Sequence, residues 1–315
     1  MTRIVLLGPQ RRVPTVRQAL DDLEVDGPLA VITAGWEERE DEVEELAEHV
    51  GCELRNLQLF HRMDTVLAED PELLEAKHAL NDRLRALQSI YRVRLGHAMQ
   101  AIRDLRAKAG LGPFDDEFQR EIEHALGAVH VLDQHHMERT RDVQDGFMET
   151  WTLASRDSVA RAREEIAAEL DGCAAVAIAG GHVAVLLSRL QMFLMDELLS
   201  SRELPIVAWS AGAMAITRQI VLFHDSPPQG RGDAEVLFAG LGLCSDLVAL
   251  PHASRRLLLD DPHRVSVLAK RFAPASCVAL DEGSRADWDG NRWSLGSGTR
   301  WLTAGGEVVK EQTFA

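Results

Sequence analysis

"PIVAWSAGAMAIT", residues 205–217, is the stretch on which the reading of the whole chain turns. Residues 205–208 have the apolar character of a buried strand, and 211–217 that of a buried helix. Trp209 and Ser210 mark an abrupt junction flanked by small residues. Small residues are needed where strand and helix backbones nearly touch. A serine on such a turn presents Oγ above the sheet edge, the arrangement of a nucleophile elbow. The same letters also describe a plain strand–helix junction with Ser210 as N-cap. The surrounding chain has to decide.

Outward from this junction, strands alternate with helices. "AAVAIAGG" (174–181) reads as a strand ending in a glycine pair, and 183–199 as the helix after it. "RIVLLG" (3–8) and "LAVITA" (29–34) are unbroken apolar runs, as strands buried on both faces are. Helices are expected over 14–24, about 37–49, and 156–170, and "CELRNLQLF" (52–60) alternates as a third strand. "DLVALP" (246–251) and "SCVALDEG" (276–283) add strands. The tail after Ala286 reads as short antiparallel strands with Asp-Gly and Gly-Gly turns. This alternation predicts an α/β fold, a three-layer, mostly parallel sheet covered on both faces.

Residues 71–145 break the pattern. Leu73, Leu80, Leu84, Leu87, Tyr91, Leu95, Ala98, Ile102 and Leu105 recur at helical spacing. "GLGPFDD" (110–116) supplies breakers and acidic N-caps. A second stripe follows through Phe118, Ile122, Leu126, Val129 and Leu132. The segment reads as a long helical hairpin whose first helix reaches ~55–60 Å at 1.5 Å per residue. The expected division is an α/β hydrolytic domain of residues 1–62 and 151–315, with 63–150 inserted. The first helix is expected to outrun its own domain and its partner helix, so the hairpin is expected to form a homodimer through 71–145, or else to fold back as a lid.

The 315 residues carry a net charge of −16, which argues against a partner with a phosphate backbone and against an anionic membrane surface. The apolar segment 183–199 is broken by Arg189, Asp196 and Glu197, so no membrane span is expected. Cys52, Cys173, Cys244 and Cys277 are widely spaced, which disfavours a zinc site or disulfide framework and fits a reducing cytoplasm. No metal or cofactor motif stands out, and no G-x-G-x-x-G follows a strand.

A serine nucleophile needs a base, and the base an orienting acid. After Ser210 the histidines are His224, His252 and His263. His252 follows a predicted strand, where sites form in open α/β sheets. Glu282 stands at the end of another. Strand alternation aims its neighbour Asp281 the other way. The resulting order is Ser210, His252, Glu282; a His with an upstream acid such as Asp246 is the weaker arrangement. The N–H of Ala211 and a second from the Gly180–Gly181 pair, at Gly181, are the candidate oxyanion donors. Asp225 and Arg231, in "HDSPPQGRGD", are candidate substrate contacts, Arg231 as a carboxylate clamp.

These residues resemble the dipeptidase E and cyanophycinase family of serine peptidases. "AGGH" (179–182) looks like the family's glycine turn, "AWSAGA" (208–213) its elbow, "HDSP" (224–227) a segment of the dipeptidase branch, "LPHAS" (250–254) its histidine segment and "ALDEGS" (279–284) its acid. The resemblance spans roughly 1–60 and 151–310. It implies a class I glutamine amidotransferase-like (flavodoxin-like) fold, hydrolysis of a small peptide-like substrate by a Ser-His-Glu triad without cofactor, and substrate contacts at Gly180, His182 and Trp209. The chain departs from the family pattern at Ala208, His182 and Ala253, and the hairpin has no counterpart in compact members. Aspartyl dipeptides and cyanophycin are therefore not carried over as substrates. A glutaminase would need cysteine at the elbow. The competing expectation is a non-catalytic binding or assembly protein that uses the hairpin as its surface.

Overall fold

The computed structural model describes residues 2–110, 114–225, 232–296 and 298–310, and the backbone of 313–314. Five short strands run parallel: β1 (Ile4–Leu7), β2 (Leu29–Ile32), β3 (Leu54–Asn56), β4 (Ala175–Ile178) and β5 (Ile206–Trp209). Their spatial order is β3-β2-β4-β5-β1. All but the edge strand β3 are buried at every position, which is why they read as unbroken apolar runs. Alternate side chains serve opposite faces. Val5, Leu7, Val31 and Val207 pack under α1 (Val16–Asp22) and α2 (Glu44–Val50). Leu6, Ile32, Ile178 and Ile206 belong to the larger core on the other face.

That larger core is covered by α3 (Leu59–Glu69), α4 (Pro71–Lys108), α5 (Asp115–Trp151), α6 (Asp157–Asp171), α7 (Val183–Met192), α8 (Met195–Ser200) and α9 (Ala211–Ile216). Strands β6 (Gln219–Leu222) and β7 (Glu235–Ala239) form a separate antiparallel pair. β8 (Leu247–Pro251) and β9 (Ser276–Leu280) pair in parallel in a second sheet, with α10 (Ala253–Arg256) and α11 (Pro262–Phe272) between them in sequence. β10 (Arg285–Trp288) and β11 (Trp293–Leu295) extend the main sheet antiparallel beyond β1, and β14 (Thr313–Phe314) closes it. β12 (Arg300–Leu302) and β13 (Val308–Lys310) extend the second sheet beside β9.

The structure corrects four of the expected elements. The third strand stops at Asn56, and residues from Leu59 onward are helical. Leu57 and Leu59 continue a strand-like alternation, but Gln58 turns left-handed (φ 48°) and the buried Glu40 carboxylate accepts the N–H of Phe60 and His61, starting α3. The acidic helix near 37–49 is a 3₁₀ turn, Ala34–Arg39, followed by α2. The helix over 183–199 is split at Leu194 (φ 50°) into α7 and α8. The second hairpin helix is not shorter: α4 has 38 residues and α5 has 37.

Both hairpin helices lie against their own chain. Tyr91, Leu95, Met99, Ile102, Ile122, Leu126 and Val129 are buried in the same cluster as the sheet. A buried polar network fastens them. Arg271 of α11, 1% exposed, holds Asp133 of α5 through Nε and Nη2 (2.6 and 2.8 Å) and donates to Ala234 O. Tyr91 of α4 donates to Asp133 at 2.7 Å and accepts from Val236 N of β7. Gln88 reaches Val236 O at 3.3 Å, and His136 stacks on Tyr91 at 4.2 Å. The self-association expected of this hairpin thus loses the uncovered stripe on which it rested.

Candidate active site

β5 ends at Trp209, and the next residue turns sharply. Ser210 has φ 51° and ψ −118°, strained for any residue with a side chain, and α9 starts at Ala211. An N-cap serine would bond its hydroxyl to an N–H of the first turn. Ser210 makes no such bond, and among the described residues its Oγ has no hydrogen-bond partner. The turn is pressed onto the end of β4. A Cβ on Gly212 would lie 2.3 Å from Ile178 O, and one on Gly180 would lie 2.8 Å from the Ser210 Cβ.

The glycine pair meets another connection. β2 and β4 are neighbours, yet the chain leaves β2 for the edge strand β3 and leaves β4 for β5, so the connections diverge there. At this point Gly35 O accepts the N–H of His182 at 2.7 Å, and a Cβ on Gly181 (φ 111°) would lie 2.1 Å from the same oxygen. The N–H of Gly181 has no partner among the described residues. That of Ala211 opens a helix and has none inside it. His182 is exposed, and its Nδ1 accepts Val185 N at 3.2 Å, capping α7. Trp209 is 6% exposed, and its ring packs in the smaller core, because Trp209 points to the face opposite Ala208.

His252 follows β8 in a left-handed conformation (φ 58°), with its N–H on Leu280 O of β9 at 3.1 Å. Burial, then the charges of Arg256 and Arg255, hold its imidazole below the usual range, so it is neutral at pH 7. Glu282 accepts from Arg255 Nη2 at 3.2 Å. Asp281 is committed elsewhere: it takes the N–H and hydroxyl of Ser254 (2.9 and 2.8 Å) and Arg300 at 2.6 Å, pinning the start of α10.

Main-chain contacts link these turns. Ser210 N donates to Leu7 O at 3.3 Å, and Gly8 N to Ser284 O at 2.9 Å. A Cβ on Gly8 would overlap Asp281 O at 1.7 Å. The turns after β5, β1, β9 and β8 are therefore neighbours in that order. Among the described residues, no hydrogen bond joins Ser210, His252 and Glu282 to one another. Gly8 and Gly35 escaped the sequence reading, although each directly follows an apolar strand run, the signal that singled out Gly180 and Gly181.

Asp225 is buried. Its backbone N–H donates to Arg256 O at 2.7 Å, and its carboxylate holds Leu258 N and Arg264. Arg231 lies outside the described residues. Among the described residues, no cluster of three or more metal-ligating side chains occurs, and no helix is long and apolar enough to cross a membrane.

The pattern of peptidase family S51 matches residues 132–294, about half of the chain, a span that includes Gly180, Gly181, Ser210, His252 and Glu282. No curated protein matches. Several solved structures are similar, two of them as follows. One is a peptidase from an acI-B1 Actinobacterium (TM-score 0.47, 12% identity, covering 100% of this chain and 94% of that one). The other is a candidate peptidase E protein from Listeria monocytogenes EGD-e (TM-score 0.46, 10% identity, covering 94% of this chain and 98% of that one).

Proposed function

The chain belongs to peptidase family S51, and from that premise we propose that it hydrolyses peptide-like amide bonds with Ser210 as nucleophile, on a class I glutamine amidotransferase-like framework. Ser210 Oγ adds to the amide carbonyl carbon while His252 takes its proton. The N–H groups of Gly181 and Ala211 receive the oxyanion. Collapse breaks the C–N bond, and His252 returns the proton to the departing amine. Water, deprotonated by His252, then attacks the acyl carbon; the bond to Ser210 Oγ breaks, His252 returns the proton to that oxygen, and the carboxylic acid leaves.

Glu282 is the orienting acid. Its partner here, Arg255, has a side chain that is 55% exposed, and such pairs are worth only about 0.2–1 kcal/mol. Turning the carboxylate to the imidazole therefore costs little. The observation that carries this reading is Ser210 itself, a strained serine at a strand-to-helix turn whose hydroxyl caps nothing.

The second reading, a binding or assembly protein on the same framework, draws on the open relay, since Ser210 and His252 are not hydrogen-bonded. A fluorophosphonate probe separates the two. We expect it to label the wild type and to leave Ser210→Ala unlabelled. A wild type that resists the probe and a broad peptide panel would favour the binding protein.

A further inference from the structure

A cavity of about 400 Å³ lies between the last turns of α4 and the length of α11. None of Ser210, His252 and Glu282 lines it, and its volume suits a small molecule. Met99, Ile102, Leu257 and Leu268 contribute an apolar wall. The carboxylates around it are all engaged. Asp225, 5% exposed, holds Arg264 and Leu258 N. Asp233 takes Arg103 at 2.8 Å, and Asp261 caps α11 through the N–H of His263 and Arg264. Arg271 is held by Asp133 behind the wall.

Arg106 is the exception. Its side chain stands in solvent at the mouth, and its guanidinium has no hydrogen bond or ion pair among the described residues. Beside it, burial and Arg106 itself keep His263 below the usual imidazole range, so His263 is neutral at pH 7. A second cavity of about 130 Å³ shares Arg106, His263 and Val267 and continues to Ile122 and Leu126 of α5. One uncommitted guanidinium therefore stands where two cavities with apolar walls meet, in a chain of net charge −16.

We propose that this cavity binds a carboxylate with an apolar body, the carboxylate on the fork of Arg106 and the body against Met99, Ile102, Leu257 and Leu268. A planar guanidinium pairs with a carboxylate through two parallel N–H donors, and the wall shelters the apolar remainder. The site goes beyond the Ser210 chemistry and stands without it. The terminus of a short apolar peptide and a fatty acyl chain share this chemistry.

Calorimetric titration of the full-length Ser210→Ala protein with N-acetyl-leucine and with octanoate tests the proposal, with octylamine as control. At least one carboxylate should bind saturably, and the tighter of the two identifies the source. Arg106→Ala should weaken that binding about tenfold or more, the scale of a lost charge-assisted bond, and Arg106→Glu should abolish it. Because Arg106 is exposed and unpaired, both variants should fold as the parent does. Saturation by neither carboxylate, unchanged binding in Arg106→Ala and Arg106→Glu, or octylamine binding as tightly as octanoate would overturn the proposal.

Discussion

Ser210 occupies a backbone region that glycine enters freely and other residues enter at about 1–3 kcal/mol. Replacing it with alanine keeps the strain, whereas glycine removes it. We expect Ser210→Gly to be more stable than Ser210→Ala by about 1–2 kcal/mol in urea denaturation, with neither variant labelled by the probe. Equal stabilities would show that the strain is illusory. His252 makes a second claim at this scale. A base works with its proton off, so activity falls as pH drops through its folded pKa, which burial and two arginines hold below 6.5. The acidic limb of kcat/KM should lie below that value, and Arg255→Ala should move it upward by removing one repelling charge. A wild-type limb above 6.5 would contradict the role. That Ser210 and His252 stand at strand ends was legible in the sequence because each directly follows an apolar run. The Arg255–Glu282 contact and the commitment of Asp281 to Ser254 and Arg300 were not, because side-chain partners three-dimensionally close carry no local pattern.

At the level of elements, the strands were legible wherever both faces are buried, since an apolar run needs no knowledge of its neighbours. The boundary between β3 and α3 was not. Its decisive group, Glu40, caps the helix from a distance in sequence, and the alternation through Leu57 and Leu59 fits either structure. The end of α5 has no sequence signal, because no glycine or proline follows Leu132 before Trp151 except Gly146, which is tolerated within the helix. Close contacts between connections also resist reading, as at Gly35 and Gly181. Alanine at Gly35 would place a Cβ 2.5 Å from Gly180 O, backbone against backbone. We expect Gly35→Ala to lower stability by about 1–3 kcal/mol and to reduce labelling of Ser210, because the shift propagates to the turn beneath it. Unaltered labelling would separate Gly35 from the site.

Across the whole molecule, the hairpin shares the core of the sheet and is tied to α11 through the buried Arg271–Asp133 pair, with more exposed pairs, Arg92–Glu235 to β7 and Lys270–Glu123 to α11, beside it. Breaking a buried pair leaves a charge without compensation, which costs about 3–5 kcal/mol. Arg271→Met should cause a loss of that size in chemical denaturation, and adding Asp133→Leu should recover much of it. A single variant close to wild type would show that the pair is dispensable. The same arrangement bears on how the chain is made. Asp133 and Tyr91 emerge from the ribosome well over a hundred residues before Arg271. At 5–20 residues per second, that interval lasts roughly 7–28 s. Within it α5 is completed at Trp151, and β4, β5 and β7 follow one after another, while α11 comes last. The two helices can pair with each other, but until β7 arrives the face destined for it stays open to water. Asp133, Gln88 and His136 on that face are then an advantage to the nascent chain. Their polarity discourages clumping until the late-arriving guanidinium locks the hairpin in place.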